Sequence, residues 1–185
     1  MKIVVLAGGL SPERDVSLVS ASMIAKALIA KGHEVFILDL YYGVQDVEKE
    51  LKFTSSPAEI KAYSIADQAP ELTEQENNQP AIGPNVLACC KQADLVYLAL
   101  HGDVGENGKV QAVLDMHKIK YTGSAYDGCL LSMDKNLSKE LVAAHHMPTA
   151  KWSINEKKDT MAFPCVIKPS NGGSSIGVSI VHNEQ

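Results

Sequence analysis

Residues 3–7, Ile-Val-Val-Leu-Ala, form an unbroken apolar run that Gly8 and Gly9 end. A run this short, without polar alternation, predicts a strand buried on both faces of a parallel sheet. Behind it Val16, Val19, Met23, Ile24, Ala27 and Leu28 recur at helical spacing until Gly32 stops them. Ser11 is placed to cap that helix and Pro12 suits its first turn. Residues 33–38, His-Glu-Val-Phe-Ile-Leu, predict a second strand. Strand, helix and strand in succession make a βαβ unit, and its right-handed crossover puts the loop after the first strand at the ligand-bearing edge of the sheet.

The pattern then lapses. Residues 41–80 carry eight acidic and three basic residues with Pro57, Pro70 and Pro80, and little periodicity, which predicts a surface excursion. Order returns as a short helix over 85–91, a strand over 94–100, a glycine-broken loop over 101–108, a helix over 109–118 and a strand over 119–122. After Gly123 and Ser124 the chain changes character. A helical stretch over 125–131 leads to a helix over 134–146 that Pro148 ends. Residues 163–168 and 176–181 predict two strands joined by a Gly/Ser loop. No internal repeat is present.

Composition narrows the classes. The 185 residues are 45% hydrophobic and 21% charged, enough to bury a core and far from a disordered composition. A formal net charge of −5 argues against a general binder of nucleic acid or anionic membrane, so any anion must be met by a local site. Cys89, Cys90, Cys129 and Cys165 form no C-x-x-C pair, and zinc and disulfide readings find no support. The first apolar run leads into SPERD without a cleavage-like site, and no stretch is long enough to span a membrane, so a cytoplasmic protein is expected.

Four segments carry candidate chemistry. In GGLSPERDVS, residues 8–17, two glycines and a helix N-terminus offer free amides, with Glu13 in the first turn. The spacing is not G-x-G-x-x-G, which disfavours a dinucleotide-binding dehydrogenase; alone, the segment reads first as a turn with a dipole-matched acid. HGDVGENG, residues 101–108, sets His101 and Glu106 on a loop at a strand's C-terminal end, where open α/β sheets bind ligands; a connector with Asn107 as a helix cap is the plain alternative. In SMDKNLSK, residues 132–139, Asp134 stands at an N-cap and Lys135 in the first turn, a position the helix dipole disfavours for a cation, although alone it reads first as a common exposed first-turn lysine. In FPCVIKPSNGGSSIGVSIV, residues 163–181, Lys168 ends a strand and Gly172, Gly173, Ser174 and Ser175 follow. Their amides, two hydroxyls and one ammonium suit phosphate oxygens, and the order of lysine and glycines is not that of a P-loop. A flexible hairpin is the alternative. The other histidines, Tyr41, Tyr42 and Trp152 are read as structural.

In this order the four segments, with YTGS at 121–124, resemble the D-alanine–D-alanine ligases, whose pattern runs GG-x-S-x-E-x-x-VS, HG-x-x-GEDG-x-x-Q, YTGS, SMDK and V-x-KP followed by GSS-x-G. The match covers residues 3–40 and 85–181. It implies an α/β fold: an N-terminal domain over 1–122 with a mostly parallel, Rossmann-like sheet, then the start of an α+β ATP-grasp central domain over 123–185. It implies ATP-dependent joining of two D-alanine molecules through an acyl phosphate, for peptidoglycan precursors, or of D-alanine to D-lactate or D-serine.

By the resemblance Glu13 binds the ammonium of the first D-alanine, Ser174 helps position Glu13, and His101 lies beside the same substrate. Lys135 and Lys168 bind ATP phosphates under a lid of Gly172, Gly173, Ser174 and Ser175. The cofactors implied are ATP and Mg²⁺, with metal ligands expected past Gln185 and none among the residues named. The implied partners are small molecules, with no nucleic acid or membrane, and a homodimer. Two positions depart from the pattern: Asn107 replaces Asp, and Ala112-Val113-Leu114-Asp115 replaces G-x-L-E. The family's adenine pocket, acidic metal ligands and oxyanion arginine are not found in these residues. The 185-residue chain is therefore expected not to ligate D-alanine by itself, and a non-catalytic nucleotide- or amino-acid-binding module is the reading from another class.

Overall fold

The computed structural model describes residues 1–66, 80–154 and 162–183. Strand β1, Lys2–Ala7, lies between β2, Glu34–Asp39, and β3, Leu95–Leu98, and both pairings are parallel. Side chains alternate across a strand, so Ile3, Val5 and Ala7 enter one core while Val4 and Leu6 enter the other. This is why β1 carries no polar residue from Ile3 onward.

Helix α1, Arg14–Ala30, covers the first face with Leu18, Ala21, Ala25 and Ile29. The apolar stripe expected from the sequence is displaced: Met23 is exposed, whereas Ser17 and Ser22 are buried beside those alanines. Small side chains let the helix lie close to the sheet, and closeness, more than side-chain bulk, selects the buried face. The stop at Gly32 holds. Gly32 has φ +81°, its N–H donates to Ile29 O and the His33 N–H to Leu28 O, which together close the helix carbonyls in a left-handed cap.

The second face is covered by α3, Val86–Cys90, and α5, Lys109–Met116, which bury Val86, Cys89, Cys90, Val110 and Leu114 against Val4, Leu6, Leu38 and Val96. Two elements depart from expectation. The strand expected over 119–122 is one parallel bridge, Val96 to Tyr121, because the Thr122 hydroxyl accepts the Leu98 N–H and takes the place of the next ladder bond. The loop over 101–108 contains a helical turn, α4, Asp103–Glu106, whose Gly105 is packed so closely on Leu100 that a Cβ would lie 2.4 Å from the Leu100 Cβ.

The surface excursion is also only partly one. Within it α2, Val47–Glu50, is followed by Thr54, which pairs antiparallel with Val35 on the open edge of β2, and by a 3₁₀ turn, Pro57–Glu59. Ile60 and Tyr63 then pack with α1. The segment shields a sheet edge, a role set by tertiary contact that no local period announces. Residues 67–79 of it lie outside the described residues.

Beyond the sheet come α6, Tyr126–Met133, and α7, Lys135–Ala144, then β4, Cys165–Ile167, paired antiparallel with β5, Ser179–Val181. Both strands are shorter than the apolar runs that predict them. Among the described residues no helix is long and apolar enough to cross a membrane.

Candidate functional site

The strand order β2-β1-β3 reverses direction at β1, and the loops after β1 and β3 meet at that switch point, at the strands' C-terminal ends. Ser17 joins them. Its buried Oγ accepts the Gly8 N–H at 2.9 Å and donates to Ala99 O at 2.7 Å, so one hydroxyl fixes both loops. Gly8 has φ +69° and a Cβ there would lie 2.1 Å from Asp39 Oδ2, so neither backbone nor space admits a side chain.

Glu13 enters this junction from the start of α1. The Ser11 Oγ accepts its N–H at 3.0 Å, the local turn that takes the place of an ordinary cap. A Cβ on Gly102 would lie 2.7 Å from both Glu13 Oε2 and Ser11 Oγ, which shows how closely the second loop passes over the carboxylate. His101 Nε2 lies 3.2 Å from the Ser20 Oγ, which holds the ring against α1. Between the two loops is a cavity of about 10 Å³ bounded by Gly9, Leu40, His101 and Val104, the room of a single water.

The Gly/Ser loop comes to the same place. The Cβ position of Gly173 is 3.9 Å from Glu13 Oε2 and 3.7 Å from Glu106 Oε2, so a glycine of the β4–β5 loop lies over two carboxylates from the sheet domain. From the other side α7 grips the loop: Lys135 Nζ donates to Gly172 O at 2.7 Å, and the Asp134 Oδ1 accepts the Ser170 hydroxyl at 3.2 Å. Asp134 also caps α7 through the Asn136 and Leu137 N–H groups at 2.8 and 3.0 Å. The Leu137 amide, with smaller help from Asn136, Ser170 and Lys135, holds its carboxyl below the usual aspartate value.

Of the residues nominated by sequence, Glu13 and Gly173 are thus brought together, with Lys135 on the far side of the same loop. Lys168 stands one residue past β4, exposed, and makes no hydrogen bond or ion pair among the described residues. Ser174 has φ +55° and is exposed; among the described residues no hydrogen bond joins it to Glu13. Asn107 does not head α5: Gly108 occupies the cap position, and Asn107 Oδ1 accepts the Lys109 N–H at 3.1 Å. Among the described residues no group of three or more His, Cys, Asp or Glu is arranged to hold a metal ion, and these residues do not fit a Mg²⁺ site.

Three supports have roles that the sequence does not announce. Ser17 is a hydroxyl on the buried side of α1. Gln111, buried on α5, donates to Gly105 O at 2.8 Å and braces the second loop. Arg14 donates to Gly9 O at 3.0 Å, pairs with Asp39 and lies 4.9 Å over the Tyr42 ring, locking the start of α1 to the end of β2. A buried hydroxyl within a helix and an acid ending a parallel strand are the signals that could have pointed to the first and the last. A larger cavity, about 350 Å³, lies beyond the Arg14–Asp39 pair against Phe36, Leu38 and Tyr63, and none of the nominated residues lines it.

Known proteins resemble the chain in sequence and in fold. Residues 2–124 match the family model described as D-ala D-ala ligase N-terminus, and residues 138–185 the one described as D-ala D-ala ligase C-terminus. The chain is 43% identical to the D-alanine–D-alanine ligase of Pediococcus pentosaceus, over all of this chain and 56% of that protein. It is 41% identical to the ligase of Lacticaseibacillus casei, over all of this chain and 55% of that one. The solved D-alanine–D-alanine ligase of Bacillus anthracis superposes with a TM-score of 0.68 at 26% identity, covering 100% of this chain and 50% of that one. That of Helicobacter pylori gives 0.63 at 26%, covering 100% and 57%. The chain thus spans about half the length of the curated relatives it matches. With the N-terminus model alone spanning most of its length, the chain belongs to the D-alanine–D-alanine ligase family.

Proposed function

We propose that this chain supplies the first-substrate side and the phosphate lid of an enzyme that joins two D-alanine molecules with ATP, in the supply of peptidoglycan precursors. The observation that carries the reading is the position of Gly173 over Glu13. It brings the loop suited to phosphate oxygens to the carboxylate suited to an amino acid's ammonium.

The chemistry follows from that juxtaposition. Glu13 holds the ammonium of the first D-alanine, with His101 beside it, and so directs the substrate's own carboxylate towards the γ-phosphate. A carboxylate oxygen forms a bond to phosphorus, the bond from phosphorus to the β,γ-bridging oxygen breaks, and ADP leaves. The transfer gathers anions, so it needs ammonium groups and amides more than a protein nucleophile. Lys168 and the amides of Gly172, Gly173, Ser174 and Ser175 are the groups this chain offers. The lid also keeps water from the acyl phosphate until the amine of the second D-alanine attacks the carbonyl carbon, loses a proton and releases phosphate. Mg²⁺ would neutralise phosphate charge when bound, and no step is placed on a metal held by these residues. A cytoplasmic homodimer completes the reading by resemblance to the family.

Phosphate release with ATP and D-alanine tests it in the full-length ligase that contains this chain. Glu13→Gln is expected to raise the KM for the first D-alanine or lower kcat, and Lys168→Ala to weaken ATP use, each by about tenfold or more in kcat/KM. Kinetics unchanged in both would overturn the assignment. The 185-residue chain alone is expected to show no turnover.

A further inference from the structure

A lysine in the first turn of a helix opposes the dipole, so Lys135 needs a reason to stand there. The structure supplies one. Lys135 Nζ donates to Gly172 O at 2.7 Å and approaches Ser170 O at 3.4 Å, while its backbone N–H donates to Ser170 O at 3.0 Å. The preceding Asp134 accepts the Ser170 hydroxyl. Lys135 and the N-cap residue before it therefore hold the first half of the Gly/Ser loop, the lysine through two carbonyls and Asp134 through the Ser170 hydroxyl.

A trans peptide points its C=O and N–H in opposite directions. Turning the Ser170 and Gly172 carbonyls towards Lys135 turns the Asn171 and Gly173 N–H groups away from it. Neither these amides nor those of Gly172, Ser174 and Ser175 donate a hydrogen bond among the described residues. The loop is thus two-faced, with carbonyls engaged on the α7 side and amides left over for an acceptor on the other.

We propose that Lys135 is a positioning residue for the phosphate lid: its ammonium clamps the Ser170 and Gly172 carbonyls and so aims the lid amides before any nucleotide arrives. This rests on the reading of the loop as a phosphate lid, and it differs from the role the resemblance gives Lys135, a direct phosphate contact. A direct contact matters only when phosphate is present. A clamp orders the loop without it.

Backbone amide NMR order parameters over residues 170–177, measured without nucleotide, separate the two, since among the described residues these amides hold no hydrogen bond whose loss exchange could read. Lys135→Met keeps a good helix former and removes a cation the dipole disfavours, so α7 is retained. Order parameters in the lid are expected to fall from about 0.85 to below about 0.6 in this variant. Ser170→Ala, which cuts only the Asp134 side of the clamp, is expected to lower them less. Lys135→Arg keeps a cationic donor and is expected to keep them high. Lys139→Met is the control: Lys139 lies on the same helix but donates to Thr149 Oγ1 and Ala150 O, so its loss leaves the lid unchanged. Lid order parameters at wild-type values in Lys135→Met, or an equal fall in Lys139→Met, overturn the clamp. Failure of the underlying function reads out elsewhere, as a full-length protein without ATP-dependent turnover whose lid still loosens in Lys135→Met.

Discussion

The two halves of the molecule are held together by different means. Every buried residue among those described lies at or before Ile119, and the apolar ones form two cores on either side of the parallel sheet. From Tyr126 onward no core cluster is present among the described residues, and side-chain hydrogen bonds link the elements: Lys135 to the Ser170 and Gly172 carbonyls, Lys139 to residues 149 and 150, Trp152 Nε1 to Asn136 Oδ1 at 2.8 Å. Leu141, Val166, Ile167 and Ile180 stay exposed there, at 44, 53, 60 and 66%. Burial of apolar area is the larger stabilising term, and exposed charge-assisted contacts give direction and little net stability. The sheet half is a scaffold. The other half is an arrangement of donors and acceptors that locates a loop.

The comparison breaks most visibly at the core. Leu114→Ala, at a position 1% exposed against Leu6 and Val96, is expected to cost roughly 3 kcal/mol in denaturant unfolding. Gly8→Ala would force a Cβ onto Asp39 at a positive φ and is expected to cost roughly 2 kcal/mol. Ser17→Ala, which strands the Gly8 N–H and Ala99 O, is expected to cost about 1–2 kcal/mol in the same titration. Leu141→Ala on α7 is expected to stay within about 0.5 kcal/mol. A Leu141 cost equal to that of Leu114 would erase the distinction.

Thiols sharpen it further. Cys90 is buried and its pKa is pushed up to about 12, chiefly by desolvation, and burial also raises the buried Cys89. Alkylation of the native chain is expected to modify Cys129 and Cys165 first, with Cys89 and Cys90 reacting only on unfolding, as peptide mass analysis would report. The smallest effect is expected at Asp134. Its folded pKa is depressed below 3.8, so its cap on α7 contributes fully above that value and is lost as pH falls through the lower folded one. Helical signal from α7 should therefore hold through neutral pH and decline only in strong acid; a decline near pH 6 would contradict the assignment.

These contrasts track what the sequence could disclose. The β1 run, the Gly32 stop, the Asp134 cap and the crossover were legible because they rest on local chemistry: apolar continuity, a left-handed residue, a carboxylate at a helix start. The buried face of α1 was not, since Ser17, Ala21 and Ser22 are buried by proximity and none is strongly apolar. Thr54 on the β2 edge and Thr122 on Leu98 are long-range substitutions for ladder bonds and leave no periodic trace. In the candidate site, Glu13 and the glycines of the β4–β5 loop stand in recognisable segments, but the contact between them joins residues far apart in the chain. Lys135 was noticed as an anomaly, and only coordinates show the carbonyls that explain it.

The decisive test of Glu13 as the first-substrate carboxylate is the product formed by the full-length ligase that contains this chain. With ATP, Mg²⁺ and D-alanine, together with equal D-lactate and D-serine, D-alanyl-D-alanine is expected by mass as the main product, abolished or strongly reduced by Glu13→Gln. A depsipeptide or D-alanyl-D-serine in its place, no ATP-dependent product at all, or full product from Glu13→Gln would contradict it.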